Sequence, residues 1–295
     1  MNFYILQKEK RREIMEIKFT KMQAYGNDYV YVDAISQKID NPNDLAKKVS
    51  DRHFGIGSDG LVMLCPSEVG DFRMRMFNPD GTEGEMCGNA LRSVSKFAYY
   101  LGYTKKEELT IETLGGMQHV FLTVENGEVV NITANIGKPR LLSSDVPVAT
   151  DVMKFCNQPI EILDKTFMAS SLSWGNPHTV IFVDDTDSFE VSKYGPAIEC
   201  ATNYFPNKTN VTFAQVVDEK NIKIREWERG TGETIGCGTG CCTAVVYANI
   251  LGLAGRNVDV EQIGGTLHVD WDEDDRVRMT GPSHVVYNGV YHYEA

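Results

Sequence analysis

Nowhere among the 295 residues is there an uninterrupted apolar run of the roughly 18 to 20 residues that a helix needs to cross a bilayer. The N-terminus also lacks the apolar stretch and small-residue cleavage site of a secretory leader. A cytoplasmic protein with no membrane partner is therefore expected. Positive charge is scarce too. Lys and Arg number 29 against 41 Asp and Glu, a formal net charge of −12. Phosphate backbones select for the opposite balance, so nucleic acid is not expected as a partner and a small molecule is the better default.

The sequence has no CxxC. Its seven cysteines (65, 87, 156, 200, 237, 241 and 242) are odd in number and scattered, which fits reduced thiols better than a disulfide framework. The one cluster, Cys237, Cys241 and Cys242, has neither a second Cys pair nor a nearby His, so no metal is expected. A phosphate loop is missing as well: "GIGSDG" (55–60) has no Walker Lys and no full GxGxxG, and reads as a turn. A basic run, Lys8 to Arg12, reads as a solvated N-terminal extension over residues 1–15, with Met15 an alternative start because the first strand pattern follows it.

What the chain does contain is a copy of itself. "FRMRMFNPDGTEGEMCGN" (72–89) aligns with "IKIREWERGTGETIGCGT" (222–239), setting Arg75 against Arg225, Glu83 against Glu233 and Cys87 against Cys237. "IETLGGMQHV" (111–120) aligns with "VEQIGGTLHV" (260–269), and Gly26-Asn27 with Gly175-Asn176. Several blocks in one order at nearly one offset indicate a duplication. Each copy reads as strands, a Gly-rich turn carrying Cys, a helix, then a hairpin; in the first copy the hairpin turns at Asn126-Gly127. The helices after each cysteine, "ALRSVSKFAYYLG" and "CCTAVVYANILG", are apolar on nearly every face, as a helix wrapped by strands must be. The expected fold is α+β: two homologous domains related by a pseudo-twofold axis, each a strongly curved, mostly antiparallel sheet around a central buried helix. The first domain is read at 16–139 and the second at 140–281. The tail, 282–295, is expected to pack back on the first.

Each duplicated cysteine stands where a Gly-containing loop enters a helix. Unpaired amides and the helix dipole there should lower a thiol's pKa and attract a carboxylate. Two such thiols facing one molecule across a cleft suit inversion at carbon, with a thiolate taking a proton from one face while a thiol supplies one to the other. Two alternatives stay open at this point. The cysteines could be ordinary core residues, or they could form a redox disulfide, although dithiol oxidoreductases use CxxC.

At these residues the chain resembles the diaminopimelate epimerase family, through "GNDYV", "RHFGIGSDG", "FNPDG", "MCGN", "GNPH", "NVTF" and "ERGTGETIGCGTG", from about Ile17 to the C-terminus. The resemblance implies interconversion of LL- and meso-diaminopimelate without pyridoxal phosphate or any other cofactor, with Cys87 and Cys237 as the acid-base pair. It implies that the amides of Gly88, Asn89, Gly238 and Thr239 hold the reacting α-carboxylate. It further implies that Asn27, Asn78, Asn176, Asn210, Glu228 and Arg229 contact substrate, the last two at the distal centre. A homodimer is also among the expectations. The chain departs from the family at Ala90 and Ser93, where many members have Gly and Cys, and at Gly60, where some have a substrate-contacting Gln. The nearest rivals are proline racemase and hydroxyproline epimerase, which usually show His after the first Cys-Gly where this chain has Asn89. A non-catalytic amino-acid-binding protein is the alternative outside enzymes.

Overall fold

The structure, a computed structural model, describes residues 14–294. Most of the extension read at 1–15 lies outside the described residues; Ile14 and Met15 already belong to the first strand. The first half comprises β1 (Ile14–Ala24), β2 (Asn27–Asp33), α1 (Pro42–Ser50), β3 (Leu61–Cys65), β4 (Phe72–Phe77), β5 (Glu83–Gly84), α2 (Gly88–Tyr100), β6 (Glu108–Thr113), β7 (Gly116–Glu125) and β8 (Glu128–Gly137). The second comprises β9 (Gln158–Ile162), β10 (Lys165–Ser173), β11 (Pro177–Phe182), α3 (Val191–Glu199), β12 (Asn210–Asp218), β13 (Asn221–Glu228), β14 (Gly232–Thr234), α4 (Gly238–Ile250), β15 (Asn257–Gln262), β16 (Gly265–Trp271) and β17 (Val277–Gly281). The chain ends in β18 (His284–Glu294). Among the described residues no helix is long and apolar enough to cross a membrane.

Period-two patterning makes the strands: on β4, Phe72, Met74 and Met76 are buried while Arg73 and Arg75 are half-buried. Asn126 and Gly127 both take positive φ, 52° and 82°, which suits the two-residue turn joining β7 to β8. The pairings repeat between halves. Parallel pairs β2–β3 and β4–β6 have their counterparts in β11–β12 and β13–β15, and the antiparallel steps β3–β4, β6–β7 and β7–β8 in β12–β13, β15–β16 and β16–β17. In each half the sheet wraps its central helix, α2 against β1, β2, β3, β4, β6, β7 and β8, and α4 against β11, β12, β13, β15, β16 and β17. The fold is thus the duplicated α+β architecture expected from the alignment.

The halves differ in one strand. β10 receives β9 as its outer neighbour, from the linking segment just before it. The equivalent place on β1 is filled by β18, the last strand of the chain, over the register Ile14↔Glu294 to Gln23↔His284. The first and last of the described strands therefore close the same half. The halves are joined through an antiparallel pairing of β8 with β17. Ala134 and Met279 hold equivalent places, since Val120 pairs with the one and its repeat partner Val269 with the other, and in the joint they pair with each other. A residue can pair with its own counterpart only where the pseudo-twofold axis passes, so the axis runs between Met279 and Ala134.

Candidate active site

Cys87 is the N-cap of α2 and Cys237 the N-cap of α4, both in extended backbone. The glycines that follow explain why no larger residue stands there. A Cβ on Gly88 would fall 2.0 Å from the terminal methyl of Met279, and one on Gly238 would fall 2.8 Å from its sulfur. Both helix starts thus close on the single side chain at the twofold axis, which brings the two Cys-Gly corners together. Met279 is fully buried. Truncating it opens a cavity under both helices, and Met279→Ala is expected to cost about 2–5 kcal/mol of stability, read by urea unfolding.

The duplicated Arg and Glu upstream of each cysteine have a structural job. Arg75 grips Glu83 through two bonds, Nε to Oε1 at 2.7 Å and Nη2 to Oε2 at 2.8 Å. Arg225 binds the Glu233 carboxylate in the same place, with Nε to Oε1 at 2.7 Å. These pairs tie β5 to β4 and β14 to β13, fixing the loops that deliver each cysteine.

The two thiols have unlike surroundings. Cys87 is half-buried, and its Sγ donates to Oδ1 of Asn27 at 3.6 Å. Asn27 is itself oriented by Asp59, whose Oδ2 accepts from the Asn27 amide at 2.8 Å, and Asp59 is held by Arg52 at 2.8 Å. "GIGSDG", read from sequence as a turn only, therefore supplies the group that aims Asn27. Cys237 is buried, 8% exposed; its amide donates to Oε1 of Gln262 at 2.9 Å and its Sγ lies 3.4 Å from Oγ1 of Thr239.

The expectation that the helix starts would lower both thiol pKa values is overturned: both are raised. Burial pushes the Cys87 thiol up, with the Glu228 carboxylate adding to the rise, against the amides of Ala90 and Asn89 and the Tyr29 hydroxyl. Burial pushes Cys237 up further, joined by the carboxylates of Glu228 and Glu226. Amides at a helix start favour a thiolate, but here withdrawal from water disfavours it more. Glu228 bears on both thiols and is itself pushed up by burial, while its Oε1 accepts from the Thr234 hydroxyl at 2.6 Å.

The other residues of the sequence reading fall as follows. Asn78 follows β4, its side-chain amide donating to Oγ1 of Thr82 at 2.9 Å. Asn89 is buried in the first turn of α2 and accepts from Arg92 at 2.7 Å. Asn176 is exposed in the turn before β11. Asn210 is buried at the start of β12, donating to the Pro177 carbonyl at 2.9 Å and accepting from the Arg229 amide at 2.9 Å, so it links the "GNPH" and "ERG" segments. Arg229 itself is exposed, with Nη1 donating to the Asn207 carbonyl at 3.0 Å. Cys241 and Cys242 are fully buried in α4, as packing residues are. A side chain at Gly60 would meet the Phe77 carbonyl 2.2 Å from its Cβ, which is why this chain holds no Gln there.

Sequence reasoning missed Tyr29, Asp59, Gln262, Met279, His178 and Glu226. Of these, Tyr29 lay in "GNDYV", Asp59 in "RHFGIGSDG" and His178 in "GNPH", with Gln262 and Glu226 in the duplicated blocks; Met279 lay outside every quoted stretch. Glu226 stood in plain sight as the one residue at which β4 and β13 differ in chemistry, Met76 against Glu226.

The family model described as Diaminopimelate epimerase matches residues 19–142 and 170–286. A diaminopimelate epimerase of Methanococcus maripaludis is 47% identical over 92% of this chain and 99% of its own length. One of Acetivibrio thermocellus is 45% identical over 92% and 98% respectively. Among solved structures, a Bacillus anthracis phenazine biosynthesis protein of the PhzF family superposes with a TM-score of 0.69 at 20% identity, covering 94% of this chain and 99% of that one. A hydroxyproline epimerase from Agrobacterium vitis superposes with a TM-score of 0.62 at 14% identity, covering 95% and 92%. The last two are likenesses of fold.

Proposed function

The chain belongs to the diaminopimelate epimerase family, and on that premise we propose that it inverts one α-carbon of 2,6-diaminopimelate, interconverting the LL and meso forms, with Cys87 and Cys237 as the two proton-handling groups. The observation that carries the reading is the convergence of both Cys-Gly helix starts on Met279 at the twofold axis, with one carboxylate, Glu228, bearing on both sulfurs. In this reading the amides of Gly88, Asn89, Gly238 and Thr239 take the α-carboxylate of the reacting centre. Their dipoles then stabilise the charge that develops on it as the α-proton leaves. Substrate fills the corner and excludes water, and its α-carboxylate takes up the helix-start amides. One sulfur takes the proton as thiolate, and the other, still a thiol, returns one to the opposite face.

The distal centre is assigned to Arg229, as a fork for the second carboxylate, and Glu228, for the ammonium. Asn27, Asn78, Asn176 and Asn210 complete the contacts. Asn27 also sets the direction of the Cys87 thiol. The proposal includes a cytoplasmic setting. It also includes a homodimer.

The test is to mix the protein with LL-diaminopimelate in D₂O and follow the α-proton resonance. Loss of that signal with growth of the meso form is expected. Exchange with proline but not with diaminopimelate would move the assignment to the proline racemase type, and binding without exchange would make the chain an amino-acid-binding protein.

A further inference from the structure

Arg92, in the second turn of α2, is the largest side chain of the chain's described part to be wholly buried. Its Nη2 donates to Oδ1 of Asn89 at 2.7 Å, while Nε and Nη1 are buried with no hydrogen-bond partner among the described residues. The guanidinium lies over the ring of Tyr25, 5.4 Å from its centroid, and Tyr25 is held from the other half, its hydroxyl donating to the Thr266 carbonyl of β16 at 2.7 Å. Among the described residues no Asp or Glu pairs with this cation. The titratable groups around it are Tyr25 in the turn between β1 and β2, Cys87 at its own helix start, and Cys241 and Cys242 on α4. The duplication sets Arg92 against Cys242, so the second half brings no cation of its own to the equivalent place. One guanidinium thus stands beside both helices whose starts meet on Met279. Burial pulls its pKa down, yet an arginine stays charged. A buried charge with no counter-charge and two unmet donors costs stability, and nothing else in this corner of the fold offsets it.

We propose that Arg92 is a positioning residue for the reaction: a fixed, buried positive charge, set through Asn89 behind the carboxylate-binding amides, that favours the movement of negative charge from thiolate to carboxylate. This rests on the two-thiol reading above, in which the Asn89 amide is one of those that take the α-carboxylate. Helical side chains lean toward the N-terminus of their helix, and the bond to Asn89 holds the guanidinium in that direction. When the thiolate removes the α-proton, the C–H bond breaks and an S–H bond forms. The electron pair left on the α-carbon spreads onto the carboxylate oxygens. The number of charges in the corner stays the same, but one of them has moved from sulfur to the carboxylate. A cation fixed behind the amides stabilises the second arrangement more than the first. Because it is buried and already in place, its field is little screened and no reorganisation is needed as the charge moves. Return of a proton from the other thiol to the opposite face reverses the shift and leaves Arg92 unchanged.

The experiment compares wild type with Arg92→Met and Arg92→Gln, measuring the urea midpoint of unfolding together with kcat and KM for epimerisation of diaminopimelate. Methionine fills the same space without charge or donor. Glutamine keeps a donor for Asn89 and removes only the charge. A structural fastening and a functional charge predict opposite results. Expected for Arg92→Met is a urea midpoint equal to or above that of wild type, because an unpaired buried charge has gone, with kcat lower by roughly ten-fold or more. KM should change by a smaller factor, since the effect falls on charge that develops during the reaction. Arg92→Gln should lose kcat to a similar extent. A midpoint that falls along with activity in Arg92→Met, or failure of that variant to fold, would show a packing role and overturn the proposal. So would wild-type kcat in Arg92→Gln, which would leave Arg92 only the task of fastening Asn89, or a rise in KM with kcat kept. Wild type that exchanges no α-proton of diaminopimelate would end the epimerase reading and this inference with it. Active wild type matched by both variants would end the inference alone.

Discussion

Replacing Cys87 or Cys237 with alanine is expected to lower epimerisation by about a thousand-fold or more, since each thiol carries a proton-transfer step of the size that general acid-base groups usually contribute. The two variants should fail differently. With Cys237 as the only sulfur, a proton can still be taken from one face and returned to that face, so one epimer exchanges its α-proton with D₂O but does not invert. With Cys87 as the only sulfur, the other epimer does so. Residual exchange confined to opposite epimers in the two variants is therefore the signature to look for by proton resonance and chiral chromatography. Retained inversion in either variant would sink the two-thiol assignment. Both substitutions remove a single sulfur from helix starts fixed by Met279 and by the Arg75–Glu83 and Arg225–Glu233 pairs, so the fold should hold.

Acidification is expected to weaken the fold through one histidine. His178 has no exposed surface. Burial, with Arg229 adding its charge, lowers its pKa from 6.5 to about 3. Between those values the unfolded chain binds a proton at this residue and the folded chain does not. The contribution of His178 is therefore complete above pH 6.5 and declines as pH falls from 6.5 toward 3. At pH 4.5, two pH units below the unfolded value, the loss amounts to about 2–3 kcal/mol. Glu226 moves the opposite way. Its pKa lies well above 4.5 because of burial, so it favours the folded state at acid pH and its contribution falls as pH rises above 4.5. Urea unfolding of wild type and His178→Asn at pH 7.5 and pH 4.5 isolates the histidine. The variant should lose less stability between the two pH values by about that 2–3 kcal/mol. If His178 and Glu226 formed an ion pair instead, the histidine pKa would be raised and wild type would gain on the variant as pH fell, which would refute this account.

Much of this molecule could be read before it was folded. The duplication, the Asn126-Gly127 hairpin, the all-round apolar helix after Cys237 and the placing of both cysteines at helix starts are matters of spacing and periodicity, which the sequence carries locally. The roles of the duplicated acids could not be read in that way. Glu83 and Glu233 align with the cysteines as well as any catalytic pair would, yet each is spent on a neighbouring arginine. Asp59 looked like part of a turn because its partner, Asn27, lies a strand and a helix away in the chain.

By itself the sequence determined that there are two halves, that each carries a cysteine at the mouth of a buried helix, and which family's chemistry those corners resemble. Only the tertiary structure decided that β18 fills in one half the place β9 fills in the other, and that both corners meet on Met279. Only it decided that the thiols are harder to ionise than their helix positions suggest, and that Glu226 makes one unlike its twin. The reason is that periodicity and turn chemistry act between residues close in the chain. Desolvation, and the charge that a buried group can bear, depend on everything the fold brings around it.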